Sequence, residues 1–549
     1  MSTDFIDKLT FLTHPSGKGQ DKQHIVIVGA GIIGVCTAYY LTKHPDFHPS
    51  THHITILESK RVAGGASGKA GGLLASWAFP QQIVPLSFRL HQELSDEYDG
   101  ENVWDYRRLT TVSLEADLEH LNSSNESDSG SSSCSSSCSS SCSSTSSDSQ
   151  KAYDLAVPAP RKKSGASSGE NNGLSDYDAE AEGDDEGDGR SSSFFHSDTN
   201  LKSLNMGSNS NDKTLKNETN DRANDGIAAK ELIGEHRIGN PVLTADYMGT
   251  VNPFDNDPEE GSGPAVPLPG DLTWIKKHLV KDWSSLGGTD STAQVHPYKF
   301  THFLLSKAVE SGAVDLILGK VNQIHFNDEG ACCGISYAPT IEGDLPSNAG
   351  HEKTVKITGA QQVVLAMGPW TSKILPDCPI SGLRAHSITI KPSSGTVSPY
   401  AIFTELKIDS NKYFSPEMYA RKDEVYVCGE GDTLVDLPET SDAVEVVKEK
   451  CDELYHYVSK LSKNLSNGHI LKRQACYLPV LNVPTSSGPL IGETNVDGLY
   501  VASGHSCWGI NNAPATGKIM AELLLEGEAK SADISALNPG LYFDASIVD

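Results

Sequence analysis

Three glycines at G-x-G-x-x-G spacing form a motif that could hold a phosphate group. Gly29, Gly31 and Gly34 follow the apolar segment His24–Val28 and open a helical pattern over Ile32–Lys43. At such a turn the first glycine permits a tight bend, the second lets backbone approach a pyrophosphate, and the third lets helix pack on strand. The helix N-terminus offers free N–H groups and a positive dipole end to the phosphates. The motif therefore predicts a dinucleotide site.

An acidic residue completes this unit. A second predicted strand, Ile54–Glu58, ends on a carboxylate placed to bind the ribose hydroxyls of an adenosine. An acid there suits FAD or NAD and disfavours the 2′-phosphate of NADP. A lone G-x-G-x-x-G is a weak signal, but here strand, glycines, helix, strand and acid occur in the required order.

A second glycine-rich segment, GGASGKAGGLL, follows Glu58 and separates the two remaining cofactors. It contains Gly64, Gly65, Gly68, Gly71 and Gly72. Glycine lets backbone lie close against a ligand, which a flavin requires at this place and a nicotinamide dinucleotide does not. A plain glycine-rich turn is the alternative. We therefore expect FAD and rank a nicotinamide-dependent dehydrogenase below it.

The elements that must position these motifs alternate between strands and helices, which indicates an α/β fold. Further helices are predicted at Tyr298–Ser311, Asp442–Leu461 and Pro514–Leu525. Further strands are predicted at Leu316–Leu318, Asn322–Phe326, Gln361–Met367, Ala401–Thr404, Tyr413–Ser415, Glu424–Cys428 and Leu499–Ala502.

Composition excludes several classes of protein. A net charge of −28 over 549 residues leaves no electrostatic footprint for nucleic acid or for an anionic membrane surface. The sequence has no run of 18 apolar residues, so no membrane-spanning helix is predicted. Its first residues do not combine a basic stretch with a following apolar stretch, so no secretory signal peptide is predicted. Eleven irregularly spaced cysteines fit reduced thiols in a cytosol-like compartment. We expect a cytoplasmic protein.

A Ser-rich, acidic segment over residues 119–230 is predicted to be a long disordered insert. Serine fills 18 of the 27 positions between Ser123 and Ser149, and such a stretch buries too little apolar surface to offset its ordering entropy. Cys134, Cys138 and Cys142 recur at four-residue spacing. A zinc site needs four ligands on a fixed scaffold, so repeat expansion is the simpler reading and no metal is expected. The insert could bind protein partners.

Four sequence blocks resemble the FAD-dependent D-amino-acid oxidase family, which includes glycine and sarcosine oxidases. They are the glycine–Glu58 unit, GGASGKAGGLL, VVLAMGPWT and GLYVASGHSCWGINNAPATGKIMAELL. By this resemblance the cofactor-binding residues are Gly29, Ala30, Gly31, Ile32, Ile33, Gly34, Glu58, Ser59, Ala66, Ser67, Lys69, Ala70, Gly71, Val321, Ala366, Gly368, Trp370, Gly504, His505, Gly509, Ile510 and Asn511. The stretch TAQVHPYKFTHFLLSKAVESGA is most similar to a fungal subset of FAD-dependent oxidoreductases, one linked to late-endosome-to-Golgi transport, which implies a location peripheral to endosomes.

The resemblance also implies the architecture: a Rossmann-like FAD-binding domain of discontinuous segments and an α+β substrate domain with an antiparallel sheet. An N-terminal extension covers residues 1–23, and a C-terminal tail covers 531–549. The FAD-binding domain takes 24–118 (with the start of the substrate domain), 286–376 and 488–530. The substrate domain takes 231–285 and 377–487.

The implied reaction oxidises a C–N bond of a small amine or amino acid by hydride transfer to flavin N5. Carboxylate substrates need an arginine for bidentate capture, but Leu478 and Cys507 stand at the two positions where relatives carry a basic residue. The candidate catalytic residues are therefore His505, Arg384 and Arg473, with Arg421 as a further cation. Each arginine could instead be a surface or structural residue.

Two questions stay open at the level of sequence. Cys476, in RQACYLP, could carry a covalent flavin, but buried cysteines are common for packing alone, so non-covalent FAD is favoured. The chain could be an FAD-dependent amine or amino-acid oxidoreductase. With Leu478 and Cys507 in place of cations, it could also be a catalytically weak flavoprotein with an interaction or endosomal-trafficking role.

Overall fold

The computed structural model describes residues 9–123, 267–340, 354–486 and 488–547. The Ser-rich insert from residue 124 onward lies outside the described residues. The expected disorder there, the reading of Cys134, Cys138 and Cys142 as repeat expansion, and the protein partners of the insert therefore stay predictions. A short helix, Glu119–Ser123, lies where that insert was predicted to begin. Within the described ranges, no helix is both long and apolar enough to cross a bilayer.

Nineteen strands are described. In chain order they are β1 (Gln23–Val28), β2 (His52–Glu58), β3 (Leu73–Ala75), β4 (Arg107–Arg108), β5 (Thr110–Asp117), β6 (Val280–Gly287), β7 (Thr292–Gln294), β8 (Val314–Phe326), β9 (Cys332–Pro339), β10 (Val355–Thr358), β11 (Gln362–Leu365), β12 (Ile380–Lys391), β13 (Tyr400–Asp409), β14 (Lys412–Phe414), β15 (Glu417–Ala420), β16 (Val425–Asp432), β17 (His469–Leu481), β18 (Leu490–Glu493) and β19 (Leu499–Ser503).

The described helices are α1 (Ile32–Lys43), α2 (Ala66–Lys69), α3 (Val84–Tyr98), α4 (Gly100–Val103), α5 (Glu119–Ser123), α6 (Pro297–Val309), α7 (Lys448–Leu461), α8 (Lys463–Ser466) and α9 (Gly509–Glu526). Short 3-10 helices lie at Lys277–Leu279, Gly368–Lys373, Ser441–Ala443, Ser506–Trp508, Ser535–Leu537 and Pro539–Leu541.

The first sheet has the order β10-β9-β8-β2-β1-β11-β19-β18. Its central strands β8, β2, β1, β11 and β19 run parallel, so their carboxyl ends meet at one edge, where ligands of doubly wound sheets bind. Apolar residues of α1, α6 and α9 share one core with these strands. The sheet draws its strands from distant parts of the chain, as the predicted discontinuous domain requires.

The second sheet has the order β17-β12-β16-β15-β13-β5-β6, with β14 beside β13. It is antiparallel except for the β13–β5 pair. One face packs on α7 through Leu454 and Val458. A small third sheet has the order β3-β7-β4. Its three strands come from the part of the chain between β2 and α6. The α/β class with a second, antiparallel-sheet domain is confirmed.

Several predicted boundaries differ from the structure. The two strands predicted between Leu316 and Phe326 are one strand, β8. The helix predicted from Asp442 begins at Lys448, because a 3-10 turn and extended backbone at Val447 precede it. The last helix begins at Gly509 although Pro514 lies inside it. Proline removes one helical donor, and the carbonyl thereby left over, that of Ile510, accepts a hydrogen bond from His91 Nε2 at 2.9 Å.

Candidate functional site

The glycine turn after β1 is shaped by close backbone contacts. Gly29 has a φ of +108°, and a Cβ there would lie 2.4 Å from the carbonyl oxygen of Ala366. A Cβ on Gly34 would lie 2.1 Å from the carbonyl oxygen of Gly29. Side chains at either position would push strand, turn and helix apart, so the motif glycines are required sterically.

A cavity of about 360 Å³ opens at the carboxyl ends of the parallel strands. Most of the residues predicted to bind the cofactor line it: Gly29, Gly31, Ile32, Ile33, Glu58, Ser59, Ala66, Ser67, Ala70, Val321, Ala366, Gly368, Trp370, His505, Gly509 and Ile510. The others, which do not line it, are Ala30, Gly34, Lys69, Gly71, Gly504 and Asn511. Asn511 instead accepts a hydrogen bond from the amide of Ala75 at 2.9 Å, so it holds the surrounding backbone together.

Glu58 ends β2 with its carboxylate at the cavity. Its Oε2 accepts from the amide of Ala30 at 3.0 Å, and its Oε1 accepts from the amide of Lys60 at 3.0 Å and from Ser59 at 3.1 Å. Burial raises the pKa of this carboxyl, while the backbone hydrogen bonds oppose the rise. The hydrogen bonds fix the carboxylate at the point where a sugar hydroxyl could meet it.

The second glycine-rich segment forms another part of the cavity wall. Ser67 Oγ accepts from the amide of Ile32 at 2.9 Å, which ties the segment to the first turn of α1. Lys69 Nζ donates to the carbonyl of Ala475 at 2.8 Å, and burial lowers the pKa of Lys69. Gln474 Nε2 returns a bond to the carbonyl of Lys69 at 3.0 Å. The predicted Lys69 thus joins the segment to β17.

His505 lines the far end of the cavity with one nitrogen unpartnered. Its Nε2 lies 3.0 Å from Thr516 Oγ1, and the Thr516 hydroxyl donates to the carbonyl of Asn512 at 3.0 Å. Nε2 must therefore carry the hydrogen, which leaves Nδ1 as a bare acceptor. Nδ1 is buried with no hydrogen-bond partner in the described chain. Burial lowers the pKa of His505 to about 3, so the ring is neutral at physiological pH.

The candidate arginines lie elsewhere and have carboxylate partners. Arg384 is buried between Asp432, at 3.0 Å, and Glu445, at 3.0 Å. Arg473 pairs with Asp452 of α7 at 2.6 Å. Neither lines the cavity.

Arg421 is committed to the second glycine-rich segment. It donates to the carbonyls of Gly71 and Ala70, pairs with Glu424 at 2.6 Å and lies over the Tyr426 ring. Leu478, which occupies the position of a family arginine, does line the cavity.

Cys476 and Cys507 differ in their position relative to the cavity. Cys476 is buried and does not line the cavity, and burial raises the pKa of its thiol to about 11. Cys507 is exposed and lines the cavity.

One part of the cavity wall was missed by the sequence analysis. The segment between β16 and α7 contributes Glu439, Thr440 and Ser441. Glu439 pairs with Lys320 and Lys373, each at 2.7 Å, and Trp370 Nε1 donates to the carbonyl of Pro438 at 2.7 Å. We call residues 433–447 the strap. Its residues carry no motif, and the Lys320–Glu439 pair spans 119 positions, so sequence offered no signal.

The cavity has the parts that FAD requires. The first turn of α1 contains no acidic residue, so it presents only positive dipole and backbone donors to phosphates. A Cβ on Gly31 would lie 3.2 Å from Ser67 Oγ and narrow the approach to that turn. Glu58 offers acceptors for a ribose at one end, and the unpartnered Nδ1 of His505 requires a donor at the other. These residues fit the cofactor.

Comparison with known proteins agrees with this geometry. The Saccharomyces cerevisiae protein TDA3, provisionally named an oxidoreductase, is 56% identical over 100% of both chains. A Schizosaccharomyces pombe protein, C1F5.03c, also provisionally named an oxidoreductase, is 29% identical over 94% of this chain and 98% of its own.

Solved structures share the fold at low identity. Iminodiacetate oxidase from Chelativorans sp. BNC1 superposes with a TM-score of 0.52 at 14% identity, covering 94% of this chain and 98% of its own. Glycine oxidase from Geobacillus kaustophilus gives a TM-score of 0.51 at 14% identity, with the same coverage. The family profile described as FAD dependent oxidoreductase matches residues 24–131 and 271–523. The chain belongs to this family of FAD-dependent oxidoreductases, the D-amino-acid oxidase family.

Proposed function

We propose that the chain binds FAD non-covalently in the cavity and oxidises the C–N bond of a small amine or amino acid. One observation carries the proposal: the cavity joins a dinucleotide cradle at Gly29 and Glu58 to the His505–Cys507 loop. When bound, FAD supplies the oxidant, accepting two electrons and a hydrogen from the carbon next to nitrogen. The protein's part is to bind and orient the reactants.

Residues in each wall of the cavity bind or orient the reactants. The first turn of α1 holds the phosphates, and Glu58 accepts from the ribose hydroxyls. His505 stays neutral because burial lowers its pKa to about 3, so its Nδ1 accepts a hydrogen bond throughout the physiological range. Leu478 and the neighbouring Pro479 present an apolar surface and keep water from the reacting end.

The test of the proposal is spectroscopic and has two parts. The purified protein should show a flavin spectrum, and after denaturation the chromophore should pass an ultrafiltration membrane, because Cys476 does not line the cavity. Cys476→Ser should bind FAD to the same extent as wild type. Colour retained with the denatured wild-type chain, but lost in Cys476→Ser, would refute the non-covalent arrangement.

The second part measures reduction. Anaerobic mixing with a panel of primary and secondary amines and amino acids should bleach the flavin for at least one compound, at a rate that saturates with concentration. Photoreduction serves as the control that the flavin can be reduced. Tight FAD without reduction by any compound would favour the second candidate, a flavoprotein with an interaction or trafficking role. Leu478 and the carboxylate-paired Arg384 and Arg473 are the observations on its side.

A further inference from the structure

One face of the second sheet is turned towards the His505–Cys507 loop, which lines the cavity. Glu417 in β15 lies directly across from Cys428 in β16 and Phe403 in β13. Side chains alternate between the two faces of a strand, and Met418 packs in the core that contains α7. Tyr419, two residues from Glu417, packs in a cluster that Trp508 joins. Glu417 and Tyr419 therefore face the loop that lines the cavity.

Aromatic rings cluster beside this face of the sheet. Trp77 lies 5.5 Å from the Trp508 ring and 6.5 Å from the Phe403 ring. Phe403 lies 6.1 Å from Tyr419, and Phe79 lies 6.2 Å from Trp508. Trp77 is 38% exposed, so part of its ring is accessible from solvent. We call these five rings and Glu417 the aromatic chamber.

A carboxylate with an unpartnered oxygen lies at the base of the chamber. Glu417 is 4% exposed. Its Oε2 accepts from the Tyr419 hydroxyl and from Cys428 Sγ at 3.7 Å, while Oε1 is buried with no hydrogen-bond partner in the described chain. No lysine, arginine or histidine of the described residues forms an ion pair with it. Buried polar atoms are normally satisfied, so Oε1 points to a missing donor.

Cations near the chamber are used by the backbone. Lys69 donates to the carbonyl of Ala475 and Arg107 donates to the carbonyl of Ala420, while Arg421 is held by the carbonyls of Gly71 and Ala70 and by Glu424. A substrate carboxylate placed beside Glu417 would meet a like charge, and the apolar Leu478 could not compensate it. The chamber thus favours a cation over an anion.

We propose that the aromatic chamber binds an amine with an aromatic or apolar body and no carboxylate, and that Glu417 holds the amine nitrogen. The proposal rests on the proposed function and adds the substrate class to it. An N–H group of the amine donates to Oε1 of Glu417, and the rings cover its body. Ring–cation contacts with Trp77 and Trp508 add to the attraction.

Glu417 also accounts for the proton that an ammonium must lose before oxidation. The N–H bond breaks, the proton forms an O–H bond on Glu417, and the nitrogen keeps its electron pair, so no electron leaves the substrate in this step. Burial raises the pKa of Glu417 to about 7. The other titratable groups that face it are Tyr419, Cys428 and Cys507. Burial raises the pKa values of Tyr419 and Cys428 well above the ordinary values of a phenol and a thiol, and the pKa of the Cys507 thiol is also raised. They remain protonated when Glu417 titrates.

The experiment compares three ligands that cannot be oxidised at the carbon bearing the functional group. They are 2-phenylpropan-2-amine, 2-phenylpropan-2-ol and 2-methyl-2-phenylpropanoate, which share one body and differ in the head group. Titration calorimetry on the FAD-loaded full chain should give the amine an affinity at least about tenfold above that of the acid, the size of one charge-assisted hydrogen bond. An acid that binds as tightly as the amine would overturn the proposal, and this comparison needs no variant.

Variants then assign the effect to one residue. Glu417→Gln should weaken amine binding about tenfold and leave the alcohol within about twofold. Glu405→Gln, an exposed acid on β13, is the matched control and should change neither. Trp77→Ala should weaken all three ligands. The visible spectrum of each variant reports that FAD is bound. Unchanged amine binding in an FAD-loaded Glu417→Gln would remove Glu417 from the role.

Failure of this proposal and of the proposed function give different results. Amine binding without flavin reduction by benzylamine or any other amine would leave the chamber assignment standing and remove the oxidation. Flavin reduction by amino acids, in a protein that discriminates against 2-phenylpropan-2-amine, would leave the oxidation standing and remove the substrate class.

Discussion

At the scale of single residues, His505 has the most specific requirement. Its protonated Nε2 is bound to Thr516, and its bare Nδ1 is buried without a partner. A bound cofactor that donates to Nδ1 would recover a hydrogen bond of about 1–2 kcal/mol. We expect His505→Phe to weaken FAD binding about tenfold, measured by flavin fluorescence on reconstitution of the apoprotein. His278→Phe, at an exposed site, should bind as wild type. Equal affinity in both variants would contradict a hydrogen bond to Nδ1.

Residues whose role follows from local spacing could be predicted, and those whose role follows from distant partners could not. Gly29, Gly34 and Glu58 belong to one short unit, so their contacts are set by a fixed chain geometry. Arg384 lies 48 positions from Asp432 and 61 from Glu445. Only the fold brings these carboxylates together, so sequence could not tell a structural arginine from one that is available to a substrate.

At the scale of elements, the ion pairs of the strap are expected to affect the rate at which the cofactor dissociates. Glu439 is held by Lys320 and Lys373, and their hydrogen bonds lower the pKa of Glu439 to about 2. These pairs are solvent-exposed, so their effect is small, about 1 kcal/mol or less each. We expect Glu439→Gln to raise the FAD dissociation rate a few-fold in stopped-flow measurements of flavin release.

Salt provides the internal check on the strap. The dissociation rate of wild type should rise with sodium chloride, because exposed ion pairs are screened, while that of Glu439→Gln should change little. Glu449→Gln, on the exposed side of α7, should follow wild type. Equal salt dependence in wild type and Glu439→Gln would show that the strap does not retain the cofactor.

Element boundaries depended on tertiary contacts in the same way. The last helix is predicted to start at Pro514, a residue type that is common in first turns. His91 of α3 satisfies the carbonyl of Ile510, so the helix extends back to Gly509. That extension places Gly509 and Ile510 at the cavity, where the family resemblance had put them.

At the scale of the whole molecule, the alternation of strands and helices identified the class, and the resemblance supplied the discontinuous arrangement. The first sheet takes β1 and β2, then β8–β11, then β18 and β19, and the second sheet uses the intervening chain. Periodicity alone could not assign strands to one sheet or the other, because both kinds of strand are buried. The residue limits of the two domains stay a prediction.

The buried His91 and His505 make the stability of the folded protein depend on pH. Burial lowers the pKa of His91 to about 4 and that of His505 to about 3. In the unfolded chain both would titrate near 6.5, so the unfolded state binds more protons between these values. Their contribution to stability is complete above about pH 6.5 and is lost as the pH falls through the folded pKa. Glu417, with its raised pKa, contributes with the opposite sign.

His91 isolates one part of this response. Its Nε2 donates to Ile510 and its Nδ1 is buried without a partner, so glutamine can replace the donor without titrating. Between pH 7.5 and 5, a histidine with this shift loses about 2 kcal/mol of unfolding free energy. In urea unfolding with a fixed excess of FAD, we expect His91→Gln to lose about that much less than wild type over the same interval. His278→Gln should lose as much as wild type. Parallel losses in all three proteins would mean that His91 does not become charged on unfolding.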